Sequence, residues 1–190
     1  GPSLGKEAID SGLKSFIIAL AMVLVYMMFY YSFAGLVSNI ALLANLFFVF
    51  GVLSSIGAVL TLPGIAGIVL TIGMSVDANV LIYERIREEL ANGKGIKLAI
   101  EDGYKSAYSS IIDANVTTLL TGIILFSFGS GPIKGFATTL IIGIITSLFS
   151  AIFITRLIIS ARMKNNKSMS FSIKLTILFF RSSAALSDSE

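Results

Sequence analysis

Residues 73–90 read GMSVDANVLIYERIREEL, and the lone acid in the apolar part of this stretch, Asp77, decides the fold. Between Ser15 and Tyr83 there is no other Asp, Glu, Lys or Arg, whereas Glu84 opens a dense cluster of mixed charge. A second such interval, from Ser106 to Thr155, holds only Asp113 and Lys134. Apolar intervals of this length, with charge confined to their margins, belong to an integral membrane protein. The whole chain agrees: 55% of its 190 residues are hydrophobic and 13% charged, and its mean hydropathy is +0.91. These values exclude an ordinary soluble domain.

Uncharged runs long enough to cross a hydrocarbon core, about 20 residues each, predict an all-α membrane bundle of five helices. They cover roughly residues 15–33, 36–60, 64–83, 106–128 and 132–156. Pro63 suits the first turn of the third span, and Pro132, behind the turn Gly129, Ser130, Gly131, suits that of the fifth. Residues 1–14 read as a cleaved-tag remnant and a lead-in, 15–160 as the membrane domain, and 161–190 as a partly disordered or non-native tail. The charged segment 84–105 is expected as a loop of two short interfacial helices, with a stop at Asn92 and Gly93 and an Arg85–Glu89 pair. Beyond Lys167, the apolar run 171–180 is too short to span.

Five spans leave the termini on opposite sides, and Lys and Arg choose the orientation. Lys6, Lys14 and Lys134 fall on one side. The other carries Arg85, Arg87, Lys94, Lys97 and Lys105, then Arg156, Arg162, Lys164, Lys167, Lys174 and Arg181. The excess places segment 84–105 and the C-terminus in the cytoplasm and the start of the sequence outside. A first span that begins outside implies a longer protein upstream.

Chemistry is bounded by absences. The sequence has no Cys and no His, so thiol, imidazole and ordinary transition-metal chemistry are excluded, leaving carboxylates, hydroxyls and amides. No GxxxxGK[ST] loop occurs, so nucleotide is not an expected fuel. No cofactor and no enzymatic activity are expected.

The tetrapeptide Asp-Ala-Asn-Val occurs twice, at 77–80 and 113–116. A charged carboxylate in mid-membrane costs roughly 2.5–3.5 kcal/mol on insertion scales and is a functional candidate by default. Asp77 lies seven residues before Glu84 and Asp113 eight after Lys105, so antiparallel helices bring both to one layer, about 10–12 Å from the charged edge. At 100° per residue Asp113 shares its face with Ser106, Ser109, Ser110, Thr117 and Thr121. Asp77 shares its face with Leu70, Gly73, Met74 and Leu81, while Thr71, Ser75 and Asn79 lie opposite. It therefore needs polar company from another helix, either the serine-rich face of the fourth span or one outside this sequence. A carboxylate whose burial, cationic neighbours and water access alternate can load and release a proton. The plainer reading makes each acid a hydrogen-bonded fastener between helices.

Small residues repeat every fourth position as Gly135, Thr139, Gly143, Ser147, Ala151 and Thr155 in the fifth span, and as Ser106, Ser110, Ala114, Thr118 and Gly122 in the fourth. Both stripes predict close helix packing.

The paired DAN motifs, with the stretch AIEDGYKSAYSSIIDANVTTLLTGIILFSFGSGPIKGFATTL, resemble the membrane part of the SecD protein-export family, alone or fused as SecDF, of the resistance-nodulation-division (RND) superfamily. The likeness runs over about residues 4–175. It implies one half of an RND-type bundle, without its first helix and periplasmic domain, in the bacterial inner membrane. It further implies a proton-motive-force-driven auxiliary of the SecYEG translocon, partnered by a SecF half, by YajC and YidC, and by preprotein through the missing domain. By motif, Asp77 and Asp113 match the proton relay, and Asn79, Asn115, Thr117 and Thr118 its supporting polar residues. Two other readings compete: half of an RND exporter of lipids or small molecules, and an intramembrane aspartyl protease. The protease signatures GxGD and Tyr-Asp are absent.

Overall fold

A computed structural model describes residues 2–164. They form the helices α1 (Pro2–Ser55), α2 (Leu62–Ala91), α3 (Ile96–Phe128), α4 (Pro132–Phe149) and α5 (Thr155–Lys164), with a π-helical turn at Ser150–Ile154 joining the last two. Four stretches are long and apolar enough to cross a membrane: Gly5–Ser55, Leu62–Ala91, Ile96–Phe128 and Pro132–Ile158. The tail expected over 165–190, with its apolar run, lies outside the described residues.

The first two expected spans are the two arms of α1, whose helical backbone breaks at Ser32 (φ 48°, ψ −117°). The arms fold onto each other. Asn39 Nδ2 donates to the Leu24 carbonyl at 2.9 Å, and a side chain at Gly35 would strike the Met27 carbonyl. Phe16 packs in one cluster with Leu42, Leu46 and Val49; along a straight helix Phe16 and Leu46 would be about 45 Å apart. Ser32 occupies a backbone region that favours glycine. The reversal fixes its geometry.

Local chemistry sets the other boundaries. Thr61 caps α2, its Oγ1 accepting from the Gly64 amide at 3.2 Å, with proline in the first turn. At the far end, Asn92 and then Gly93 (φ 82°) close α2 where the sequence predicts a stop. The expected loop at 84–105 is otherwise wrong in kind: α2 continues to Ala91 and α3 begins at Ile96, so only residues 92–95 leave the helix. The reason is that the charged residues extend the same helices beyond their apolar parts, with no second nucleation needed.

The ion pairs there also differ from expectation. Arg85 bonds Glu88 at 2.8 Å rather than Glu89, because Glu89 is taken by Lys94 at 2.6 Å. Lys94 also reaches Asp102 on α3 at 2.5 Å. It thus ties the two helices across their turn.

Without a hydrophobic gain between helices in lipid, close van der Waals packing must hold the bundle, and small residues permit it. Gly67 lies against Thr139, and Gly143 against Thr71, so the expected α4 stripe is a packing surface for α2. The expected α3 stripe is not: Ser106, Ser110 and Ala114 are exposed, and only Gly122 is buried. α3 packs instead through Ala99, Gly103, Ala107 and Ile111. Only 17% of its most apolar window is buried, against 50% in each of the other three, so α3 lies at the margin of the bundle.

Candidate functional site

The two DAN motifs sit on adjacent antiparallel helices. Their shared depth can be measured from the point where Gly103 of α3 meets the backbone of Ile86 on α2. Asp77 lies nine residues from Ile86 and Asp113 ten from Gly103, which at 1.5 Å per residue places the acids within about 2 Å of one level.

Both acids point away from the chain's own core. Asp77 and Asp113 are exposed, and among the described residues neither carboxylate has a hydrogen bond or ion pair. The serine-rich face of α3 does not reach Asp77. It faces outward beside Asp113.

The asparagines of the two motifs point inward. A separation of two residues turns a helical side chain by about 200°, so an outward Asp forces a buried Asn. Asn79 is fully buried and its Oδ1 accepts from the Thr155 hydroxyl of α5 at 3.0 Å. With Thr71 and Ser75, also buried, it forms a polar stripe along the interior side of α2. Asn115 is buried too, but its Nδ2 turns back to the Ile111 carbonyl of its own helix at 2.7 Å. Thr117 and Thr118 both donate to the Ala114 carbonyl at 2.9 Å. These hydroxyls are satisfied locally and reach no other helix.

Several polar contributors escaped the sequence reading. Ser150, first residue of the π turn, donates to the Ala41 carbonyl at 2.6 Å, and Tyr31 at the α1 reversal donates to Glu84 at 3.2 Å. Ser38 and Asn45 are buried on the second arm of α1 without a hydrogen-bond partner for their side chains. The signal for them was present: a polar side chain inside an uncharged span must face protein rather than lipid.

The site is thus a two-sided layer, polar amides turned into the bundle and two carboxylates turned out. The inner side can fix helix rotation. The outer side leaves both carboxylates without a hydrogen bond or ion pair among the described residues.

Comparison with known proteins gives the layer its context. The family model of the protein export membrane protein SecD/SecF, C-terminal region, matches residues 1–165. The chain is 60% identical over 158 residues to the protein translocase subunit SecD of Desulfurispirillum indicum, covering 83% of this chain and 31% of that protein. It is 56% identical over 169 residues to the SecD subunit of Rhodothermus marinus, covering 89% and 27%. The crystal structure of SecDF, a translocon-associated membrane protein from Thermus thermophilus, superposes with a TM-score of 0.83 at 40% identity, over 87% of this chain and 23% of that one. The chain therefore spans less than a third of the length of these relatives. What it spans is their helical membrane region, and the chain belongs to the SecD/SecF family of protein-export membrane proteins.

Proposed function

We propose that this chain is the membrane part of a proton-driven protein-translocation subunit, and that Asp77 carries the proton. The observation that supports this reading most is the placement of Asp77: mid-helix in an apolar run, facing out of its own bundle, with no partner among the described residues. A carboxylate in such a place is stable only if a second helical surface or a water path covers it. Alternation between a covering that supplies a cation and one that does not moves its proton affinity up and down. One charge crossing 100 mV releases about 2.3 kcal/mol, enough to bias a two-state arrangement without a nucleotide. Asp113, at the same depth, stands as the second relay position; Asn79 ties its helix to α5, and Asn115, Thr117 and Thr118 support the second acid from within α3.

In this reading the two arms of α1 cross the membrane separately, giving five crossings and one half of an RND-type bundle. The first arm starts on the outer side, and the α2–α3 turn and the C-terminal end face the cytoplasm of a bacterial inner membrane. The covering surface is a SecF half. The SecYEG translocon, with YajC and YidC, and a preprotein held by a periplasmic domain complete the assembly. Protons are the coupling ion, no other cofactor is used, and no bond is made or broken by the chain. A protease dyad must share a proton between its two acids, and no hydrogen bond joins Asp77 to Asp113 among the described residues. The relatives named as translocase subunits also favour export of protein over lipid.

The test is Asp77→Asn in the full-length protein, assayed in inverted membrane vesicles with and without a proton gradient. Gradient-dependent translocation is expected to vanish while ATP-driven translocation persists. An undiminished response to the gradient would remove Asp77 from the mechanism.

A further inference from the structure

At the end of the bundle where α3 begins, a cavity of about 570 Å³ opens between α2, α3 and the segment that follows α4. Its rim carries Lys97, Lys105 and Arg156, against the single carboxylate of Glu101. None of the three cations forms an ion pair among the described residues, in contrast to Arg85, Arg87 and Lys94 of the same end, which are all paired. Three cations against one carboxylate leave the rim with an excess of positive charge, which a further anion would offset.

The lining has two further properties. Tyr104 lines the cavity with its ring, while its hydroxyl is buried behind the surface without a hydrogen-bond partner. Deeper in, the wall is apolar, made by Ile82, Ile111 and Ile152. A cationic rim above an apolar wall matches an amphiphile whose head is anionic and whose tail is hydrocarbon. The level matches too: Lys105 and Arg156 flank the ends of two apolar spans, where headgroups lie, and Tyr108 beside them is a residue type enriched at that depth.

We propose that this cavity binds an anionic phospholipid, its phosphate held by Lys97, Lys105 and Arg156, and its acyl chain laid along the isoleucine wall. The molecule offers its own contrast. The cavity at the opposite end, about 490 Å³, is lined by one cation, Lys134, and that ammonium already sits 4.8 Å from the Phe126 ring centroid. It lacks the means to hold a phosphate.

Each Lys or Arg near a membrane surface strengthens anionic-lipid binding by about fivefold, so three together give about a hundredfold. The test is native mass spectrometry of the delipidated full-length protein in mild detergent, titrated with phosphatidylglycerol and with phosphatidylcholine of the same chains. One phosphatidylglycerol is expected to bind with clear preference, to resist displacement by millimolar inorganic phosphate, and to be lost about a hundredfold in K97Q/K105Q/R156Q. K134Q should bind as the parent does. If the triple variant does not fold, Lys105→Gln alone should weaken binding about fivefold. A photo-crosslinker at position 108 in membranes should capture lipid. Equal binding of the two lipids, full binding by the variants, displacement by phosphate alone, or capture of a protein segment at position 108 each overturns the proposal.

Discussion

The two copies of Asp-Ala-Asn-Val share a depth and a rotation, yet they differ in what their inner halves grip. In the first copy Ala78 is in the core and Asn79 bonds across to Thr155, locking α2 to the helix beyond the π turn. In the second, Ala114 is exposed and Asn115 bonds only to its own helix. The motif fixes which side chain points in and which points out, because that follows from helix periodicity. Whether the inner side chain becomes a fastener depends on having a polar partner opposite: Thr155 stands across from Asn79, whereas Asn115, though buried, bonds only within α3. The outer sides differ as well. Asp113 has serines and threonines along its own face, whereas Asp77 has leucine, glycine and methionine.

The sharpest way to break the comparison is on the outer side. Asp77→Asn in the full-length protein is expected to abolish gradient-dependent translocation, while Asp113→Asn should leave a measurable part of it, since the hydroxyls around position 113 can support an amide as well as an acid. Equal loss from both, in the same vesicle assay, would show that the two copies are one functional unit despite their unequal surroundings. Next in size is a packing contrast. A Cβ at Gly103 would lie 2.7 Å from the Ile86 backbone nitrogen, whereas one at Gly73, on the Asp77 face, meets nothing within 4 Å. Gly103→Val should therefore cost on the order of 1–3 kcal/mol or more in detergent unfolding, and Gly73→Val close to nothing within this chain. If Gly73→Val instead impairs assembly of the full-length protein, the surface covering Asp77 must approach closely there.

That Asp77 and Asn79 occupy opposite faces of one helix was legible from sequence because a 100° step is all the argument requires; which face turns outward was not. The α4 stripe was legible for the same reason. The parallel stripe on α3 failed because small residues permit close packing without supplying the neighbour. Also hidden was the run-on of α2 and α3 through the charged segment: charge marks where lipid ends, and a helix can continue into water. The π turn at Ser150–Ile154 left no sign at all in the stripe, whose four-residue spacing passes through it unbroken. It becomes visible only through Ser150 and Thr155, which bond to α1 and α2 from its two flanks.

The fastener in the first copy can be weighed directly. A double-mutant cycle on Asn79→Leu and Thr155→Val, read by unfolding in detergent, should give a coupling of about 0.6 kcal/mol and no more than about 1.7, the range found for interhelical hydrogen bonds in membranes. The matching cycle on Asn115 and Thr155, whose side chains bond to other groups, should give none. A coupling near zero for the first pair would make both asparagines alike and dissolve the asymmetry on the inner side.

The smallest expected effect concerns the turn that sets the two copies at one level. Lys94 bridges Glu89 and Asp102, and these hydrogen bonds hold its ammonium above the ordinary lysine pKa. A group whose folded pKa is raised contributes stability that is complete below its unfolded value, about 10.4, and is lost as pH rises through the higher folded value. The clasp is therefore insensitive to alkali until pH passes the ordinary lysine range. Amide exchange of residues 92–95, corrected for its intrinsic pH dependence, should stay constant through neutral and mildly alkaline pH and quicken only above the ordinary lysine range. Lys94→Met should show the quickened rate throughout. In neither case should Asp77 and Asp113 leave their shared depth, because the approach of Gly103 to Ile86 holds the register independently. A cross-link between cysteines placed at 77 and 113 that forms in the parent but fails in Lys94→Met would assign the register to the charge clasp instead.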